Sequence, residues 1–366
     1  DKNALQTVAE KAKKSGKKVG VTTSVSVDHA TPAAFYAHQG QRSSYYNVGL
    51  DLIDANFDFY AGSDFLDPTN KKAAGSNSES LYTLVDKAGY TIARGYKDYQ
   101  KKAKKSDKLI LLQPATATDN SAIPYAIDRK KGDMTLTEIT RAGINFLSKD
   151  LSKGFFLMVE GGKIDWACHA NDAATVFNEV KDMDNAIKVA YEFYKKHPKE
   201  TLIVITADHE TGGIVLGTGK YALNLKALQY QKHSADGLSQ RISELRKSKG
   251  NKVTWEDMKT FLGEEMGFWK QFPLSWEQEK TLRDEFEKSF VKNKVVFAES
   301  MYSKSEPMAA RAKEVMDEIA MIGWVSGGHS AGYVPVFAIG AGSQLFGEKI
   351  DNTEIPKRIA KAAGYK

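Results

Sequence analysis

A strand-like run that ends in a carboxylate and two glycines constrains this chain more than any other feature. Residues 155–159 are apolar, as a buried strand requires, and Glu160 follows them. The two glycines after it allow a sharp turn of the backbone. Asp165 and His169 stand four residues apart, so on a helical turn both side chains lie on one face and can reach one divalent ion. This pattern predicts a metal site at a strand end.

Two further loops contain the same kinds of metal ligand. An apolar segment at residues 201–207 ends in Asp208 and His209, and a glycine-rich loop at residues 326–332 contains His329. A strand-terminal Asp is often a helix cap and a lone His is often a satisfied core residue, so each loop alone is weak evidence. Three such loops in one chain indicate a centre with several metal ions.

The order of the predicted elements indicates the fold class. Strands are predicted at residues 18–23, 57–61, 109–113, 155–160, 201–208 and 334–339. Helices are predicted at residues 135–147, 173–194 and 353–363. This alternation predicts an α/β fold with a central, mostly parallel sheet sandwiched by helices. On the helix at 173–194, an apolar stripe predicts a core-facing surface formed by Val176, Val180, Met183, Ile187 and Tyr191.

The composition changes between residues 219 and 321 to charged, helical sequence. Helices are predicted there at residues 239–248, 255–261, 276–290 and 307–319, with Thr254 and Ser275 as caps. The chain is therefore divided into an α/β core, residues 1–218 and 322–366, and a helical insertion, residues 219–321. The insertion leaves and rejoins the core beside the ligand loops. It is either a crown or lid over the site, or a surface elaboration or subunit contact.

Composition limits the function classes. The chain has 366 residues, of which 42% are hydrophobic and 27% are charged, enough for one large core or two domains. The net charge is +6, but the lysines are spread along the chain, which favours a solvated surface over nucleic-acid specificity. No apolar run is long enough for a membrane span, and a single cysteine excludes an internal disulfide.

The three ligand loops together resemble the alkaline phosphatases. The resemblance extends upstream to the segment that contains His29, Thr31 and Arg42, and it covers residues 1 to about 215 and 323–366. These motifs are jointly specific. The resemblance implies metal-dependent hydrolysis of phosphate monoesters by two-metal phosphoryl transfer, with small phosphorylated substrates as partners and Arg42 donating two hydrogen bonds to the phosphate.

The resemblance also implies a set of metal ligands. The implied ligands are Asp165, His169 and His329 for a first zinc, Asp208 and His209 for a second zinc, and Glu160 and Thr31 for a magnesium-type ion. The ligand types agree with this assignment, because hard oxygens suit magnesium and mixed imidazole and carboxylate sets suit zinc.

Three residues depart from the best-known bacterial pattern. His29 stands where that pattern has an aspartate, Trp166 where it has a lysine, and Thr211 where some members have a histidine. These residues are expected beside the ligands. The changed charge leaves the identity of the third ion open between magnesium, zinc and another metal. His29 either binds metal, directly or through water, or orients a carboxylate, and Thr211 is expected to loosen the second zinc.

The family's nucleophilic serine and one metal-bridging aspartate are not found in this sequence. In the resemblance they lie upstream of residue 1, on a leading strand. A helix capped by Asn3 and running to about Ser15, ended by Gly16, precedes the strand at 18–23. We therefore expect a fragment of a longer polypeptide with impaired catalysis.

Substitute serines were sought along the chain. The densest serine stretch, Ser76, Ser78 and Ser80, is predicted to be an exposed loop that leads into a helix at residues 81–88. Ser43 and Ser44 follow Arg42 closely, but nothing around them indicates an activated hydroxyl, so they are expected to face solvent.

Two alternative functions stay open. One is a phosphodiesterase or sulfatase-like relative with the same metal core, and the other is a non-catalytic fragment that binds metal. The family resemblance further implies a periplasmic or secreted location and allows a homodimer. No membrane partner is expected.

Overall fold

A five-stranded parallel sheet forms the centre of the protein. The computed structural model describes residues 4–71, 77–117, 119–219 and 222–365. The strand order is β3-β4-β2-β1-β5. The strands are β1 (Lys18–Thr23), β2 (Phe59–Ala61), β3 (Tyr90–Arg94), β4 (Lys108–Leu112) and β5 (Phe155–Glu160). The predicted α/β class with a mostly parallel sheet is confirmed.

Helices cover both faces of this sheet. The core helices are α1 (Val8–Lys14), α2 (Ala30–Ala33), α3 (Tyr45–Ala55), α4 (Leu81–Lys87), α5 (Tyr96–Lys102), α6 (Leu136–Leu147), α7 (Gly162–His169) and α8 (Ala173–Lys196). One core cluster packs β1 and β4 side chains against α1, α3 and α4. The other packs the opposite face of β2 and β4 against α5 and α6. Alternate strand residues therefore enter opposite hydrophobic layers, as the pleat requires.

Parallel pairing places the functional strand ends at one edge. In β1, Thr23 lies in register with Glu160, the last residue of β5. Because parallel strands end at the same edge, loops that leave this edge converge, and this is where open α/β sheets bind ligands.

The strand predicted at residues 201–208 does not join the main sheet. It is β6 (Leu202–Ile205), which pairs antiparallel with a C-terminal strand over Phe337–Gly340. The remaining strands are β7 (Glu210–Thr211), β8 (Val215–Leu216), β9 (Ala298–Glu299), β10 (Lys304–Ser305), β11 (Ile322–Gly323), β12 (His329–Ser330) and β13 (Phe337–Gly340). Three further two-stranded pairs, β7 with β12, β8 with β11 and β9 with β10, also lie outside the main sheet. Strand β3 was not predicted; its Tyr90–Arg94 segment is short and lies between Gly89 and Gly95.

The predicted start of the first helix is wrong. Thr7 is the N-cap of α1, and Thr7 and Glu10 form a capping box, which satisfies two helix-terminal N–H groups at that point. Asn3 lies outside the described residues. The predicted end is confirmed, because Ser15 is the C-cap and Gly16 takes a φ of +80°.

The predicted apolar stripe of α8 is not buried as a whole. Val180 is 48% exposed and Tyr191 is 42% exposed. The helix instead buries Glu179 and Asp182, because Glu179 accepts a hydrogen bond from the Ala126 N–H and Asp182 pairs with Arg129 at 2.6 Å. These bonds stabilise the two buried carboxylates and so determine which face of α8 is turned toward the core. The predicted apolar stripe is therefore only partly buried.

Residues 222–321 form a helical layer with a hydrophobic cluster of its own. The helices are α9 (Ala235–Ser248), α10 (Trp255–Glu265), α11 (Trp276–Phe286) and α12 (Pro307–Ala320), and the C-terminal α13 (Glu354–Ala363) returns to the core. Thr254 and Ser275 cap α10 and α11 through capping boxes, as predicted. The division into core and insertion stays a prediction, because the cluster also contains Ala173 of α8. No helix in the described ranges has the length and apolar character that a membrane crossing needs.

A buried carboxylate ties this helical layer to the core. Asp317 of α12 accepts a hydrogen bond from Trp324 Nε1 at 2.7 Å. Burial raises the pKa of Asp317 from 3.8 to about 8. The carboxyl therefore keeps its proton in the folded chain across a range in which the unfolded chain loses it, so stability falls as the pH rises from about 4 to about 8.

We therefore expect Asp317→Asn to be stabilising relative to wild type at pH 9 by about 1–3 kcal/mol, the range for a buried polar group. The gain should shrink as the pH falls, because both side chains are then neutral. Urea unfolding at pH 5 and pH 9 measures it, with the exposed Asp54→Asn on α3 as the control. An equal effect of Asp317→Asn at both pH values would contradict this assignment.

Candidate metal centre

The first ligand loop joins β5 directly to α7. Gly161 is the N-cap of α7, so the helix begins at once after Glu160. A Cβ on Gly162 would lie 2.9 Å from a carboxylate oxygen of Glu160. The glycine therefore leaves room for the Glu160 carboxylate at the strand end. Asp165 and His169 lie one turn apart on α7, and His169 Nε2 is 3.4 Å from Asp165 Oδ1.

The second and third loops are held together by backbone pairing. Strands β7 and β12 are antiparallel, with Thr211 opposite His329. Beside them the Gly212 N–H donates to the Gly328 carbonyl at 2.9 Å. Gly212 has a φ of +86°, and a Cβ there would lie 2.9 Å from the Trp324 ring. Glycine is thus required for the turn that brings two distant loops into contact.

Imidazoles and carboxylates from all three loops converge. One ligand atom each of Asp165, His209 and His329 lie within 4.8 Å of one another. His169 joins them, since its Nε2 is 3.0 Å from His329 Nε2. His209 and His329 stack with ring centroids 3.6 Å apart. The predicted ligand Asp208 is the outermost of these residues: its side chain is 65% exposed and lies 3.4 Å from His209 Nε2.

A backbone carbonyl orients His169. The His169 Nδ1 is 2.7 Å from the Gly327 carbonyl oxygen. Because a carbonyl only accepts, Nδ1 carries the proton, and in the neutral ring the Nε2 lone pair points at Asp165 and His329. This is the usual support of a metal-binding histidine.

Thr211 links the two predicted zinc sites. Its hydroxyl donates to Asp165 Oδ1 at 2.6 Å and lies 3.2 Å from His209 Nδ1. The hydroxyl has one proton, so it accepts from the Nδ1–H of His209, which leaves His209 Nε2 free as a ligand. The prediction placed Thr211 beside the second zinc alone, whereas it contacts ligands from both sets. Which ion each ligand holds stays a prediction.

Glu160 forms an oxygen-only site at the sheet edge. Desolvation raises the pKa of the Glu160 carboxyl from 4.5 to about 7, against the hydrogen bonds that it accepts from Thr23 and Thr31. Thr23 was not predicted, because only the parallel register of β1 and β5 brings it opposite Glu160. Oxygen donors alone fit a magnesium-type ion.

Arg42 lies on the open side of the site, held by His29. Arg42 Nη2 is 3.2 Å from His29 Nε2. Burial and the Arg42 charge lower the pKa of His29 to about 4, so the ring is neutral and its Nε2 accepts from the guanidinium. His29 contacts the ring of Trp166 at 5.7 Å. In the described structure His29 therefore positions Arg42, and its predicted roles toward a metal or a carboxylate stay untested.

The substitute serines lie apart from the ligand cluster in the described residues. Ser80 caps α4 by accepting from the Tyr82 N–H, and Ser78 accepts from Asn70. Ser76 lies outside the described residues. Ser43 is exposed and Ser44 is the N-cap of α3.

The donor set fits metal ions. Three imidazoles and two carboxylates meet at one opening, and two imidazole Nε2 atoms face each other at 3.0 Å. Two neutral imidazoles can face each other in this way only if one donates a proton or both bind a cation. Mixed nitrogen and oxygen ligands of this kind suit zinc.

Comparisons with known proteins agree on one family. A family model described as alkaline phosphatase matches residues 1–55 and 64–365. Alkaline phosphatase 3 of Bacillus subtilis (strain 168) is 32% identical over 376 residues, which cover 100% of this chain and 72% of that protein. The tissue-nonspecific alkaline phosphatase of Mus musculus is 30% identical over 57% of this chain and 45% of its own length.

Solved structures give the same result. A cold-active alkaline phosphatase from Shewanella sp. has a TM-score of 0.76 and 26% identity, over 99% of this chain and 79% of that one. A mutant of the alkaline phosphatase from the Antarctic bacterium TAB5, with a histidine replaced by glutamate, has magnesium bound in its M3 site. It has a TM-score of 0.65 and 25% identity, over 100% of this chain and 78% of that one.

Thr211→Val should weaken zinc binding by about tenfold to a hundredfold, because it removes the hydroxyl that orients Asp165 and His209. Competition with a zinc-binding dye measures the affinity. The matched control is Thr83→Val, an exposed position on α4. Unchanged zinc affinity in Thr211→Val would show that these hydrogen bonds do not support the ligands.

Proposed function

This chain belongs to the alkaline phosphatase family, and we propose that its metal centre hydrolyses phosphate monoesters. Phosphatase-type hydrolysis follows from the family and the fold. The proposal of monoester hydrolysis rests on one observation, the convergence of Asp165, His209 and His329 with His169. Arg42 lies beside this cluster, where it can bind an anion.

We further propose the distribution of metal ions. Asp165, His169 and His329 hold one zinc, and Asp208 with His209 holds a second. A magnesium-type ion is held by the side-chain oxygens of Glu160 and Thr31, as supported by their hydrogen bond. The TAB5 mutant with magnesium in its M3 site makes magnesium a reasonable third ion for this chain. When bound, such ions supply electrostatic stabilisation of the phosphoryl oxygens.

Other groups of the site bind the phosphate or hold the binding residues in place. The guanidinium of Arg42 offers parallel N–H donors to two phosphate oxygens, a geometry that lysine lacks. The neutral His29 keeps it in place by accepting from Nη2. The Gly327 carbonyl and the Thr211 hydroxyl fix the ligand imidazoles, so that little reorganisation is needed when substrate arrives.

This chain alone is proposed to turn over slowly. The serines considered as substitutes are accounted for by capping or by exposure in the described residues. A metal-binding role without turnover is the limiting case of this proposal.

Location and assembly are proposed on the same basis. Members of the family are generally extracellular or periplasmic enzymes, so a periplasmic or secreted location is proposed here. A homodimer is also proposed. The helical layer is proposed to be the insertion predicted at residues 219–321, which covers the site as a crown or lid.

Hydrolysis of a chromogenic phosphate monoester, in zinc and magnesium at alkaline pH, tests the proposed function. Asp208→Ala should lower the rate by at least about tenfold to a hundredfold, since a ligand matters no less than its supporting groups. Asp54→Ala on α3 is the control. A rate equal to wild type in Asp208→Ala would contradict the proposed site.

Hydrolysis of the matching methyl phosphate diester distinguishes the proposed monoesterase from the phosphodiesterase or sulfatase-like alternative. Arg42 offers donors for the free oxygens of a terminal phosphate, so the monoester should be the better substrate. Preference for the diester, or for a sulfate ester, would favour the phosphodiesterase or sulfatase-like alternative.

A further inference from the structure

We propose that Tyr302, from the helical layer, is a positioning residue of the phosphate site that acts through Arg42. This inference rests on the proposed function, because it assumes that Arg42 binds phosphate. No role was predicted for Tyr302, since nothing in the sequence around it signals a contact with Arg42, which lies 260 residues away along the chain.

Tyr302 stands at the tip of a short hairpin. Strands β9 and β10 pair antiparallel on either side of it. Within the turn the Ser300 N–H donates to the Ser303 carbonyl at 2.9 Å, and the two hydroxyls are 2.9 Å apart. The turn therefore has its own hydrogen bonds and presents the tyrosine in a defined direction.

The base of the hairpin is fixed to the helical layer. Ser305 is buried, and the next backbone N–H, that of Glu306, donates to the Ser239 hydroxyl of α9 at 2.9 Å. The Glu306 carboxylate is 3.1 Å from Arg246, also on α9. The position of Tyr302 is thus coupled to the helical layer, which is how this layer can influence the metal centre.

The ring of Tyr302 packs against the site. It stacks on Trp166 with centroids 4.6 Å apart and an interplanar angle of 13°. It also lies edge-on to the His169 ring at 5.4 Å and is 5.9 Å from the His29 ring. One aromatic side chain therefore contacts a predicted zinc ligand and two of the three residues that depart from the family's bacterial pattern, His29 and Trp166.

The hydroxyl of Tyr302 reaches Arg42. Arg42 Nη2 donates to the Tyr302 hydroxyl at 3.4 Å and to His29 Nε2 at 3.2 Å. Arg42 is exposed, and its long side chain would otherwise sample many rotamers. Two acceptors on one nitrogen restrict the guanidinium before an anion arrives, and such restriction lowers the entropic cost of binding.

The hydroxyl keeps a further donor. A phenol oxygen can accept from Arg42 and still donate its own proton to a neighbouring acceptor. An oxygen of a phosphate bound by Arg42 is such an acceptor. Tyr302 would therefore favour the bound anion both through Arg42 and by direct donation, whereas phenylalanine at this position keeps only the ring.

Calorimetric titration with inorganic phosphate tests this inference on the full chain loaded with zinc and magnesium. Tyr302→Phe should weaken phosphate binding about threefold to tenfold, as expected for the loss of one hydrogen bond, with the zinc content unchanged. Tyr302→Ala should weaken it more, because the stacking on Trp166 is lost as well. The matched control is Tyr191→Phe, a partly exposed tyrosine on α8.

A double-mutant cycle with Arg42→Ala separates positioning from packing. If Tyr302 acts through Arg42, Tyr302→Phe should have a much smaller effect in the Arg42→Ala background. Equal phosphate affinity of wild type and Tyr302→Phe, or the same loss in both backgrounds, would overturn the inference while leaving the proposed function intact. Wild type that retains zinc but does not bind phosphate would overturn both.

Discussion

The antiparallel pairing of Thr211 with His329 is the interaction on which the metal centre depends. It joins two loops that lie more than a hundred residues apart in sequence, on either side of the helical layer. The Thr211 hydroxyl then reaches Asp165 on the third loop. The backbone of Thr211 thus forms part of the strand pair, while its side chain contacts the predicted metal ligands. Loss of this register would turn His329 away from the cluster, because neighbouring strand residues face opposite sides.

The sheet supplies the fixed side of the centre. The parallel register of β1 and β5 places the Glu160 carboxylate next to Thr23, and α7 begins at once after Gly161. Because α7 starts there, Asp165 and His169 project from a helix anchored to the sheet. The open side is built differently, from Arg42, His29 and the aromatic side chains that surround them. Asp165 and His169 therefore lie on a helix, whereas Arg42, the proposed anion-binding group, is exposed at the surface.

Local patterns were sufficient for much of this architecture. Apolar runs predicted β1 and β5 with their bounds, and cap residues such as Thr254 predicted helix starts. Local patterns failed where contacts between distant parts of the chain determine the orientation of an element. The rotation of α8 follows from buried carboxylates that pair with the segment before α6, which an apolar stripe cannot reveal. Ligand loops were visible as motifs, but Thr23 and Tyr302 enter the site through strand register and a hairpin, for which a single sequence has no signal.

Zinc-edge X-ray absorption of the zinc-loaded chain tests the central claim most directly, because it reports the atoms bound to the metal. We predict a coordination shell of nitrogen and oxygen with clear imidazole scattering, and a loss of imidazole scattering in His329→Ala. A shell of oxygen alone, a sulfur ligand from Cys168, or a spectrum unchanged in His329→Ala would contradict the claim that the three loops form the metal centre.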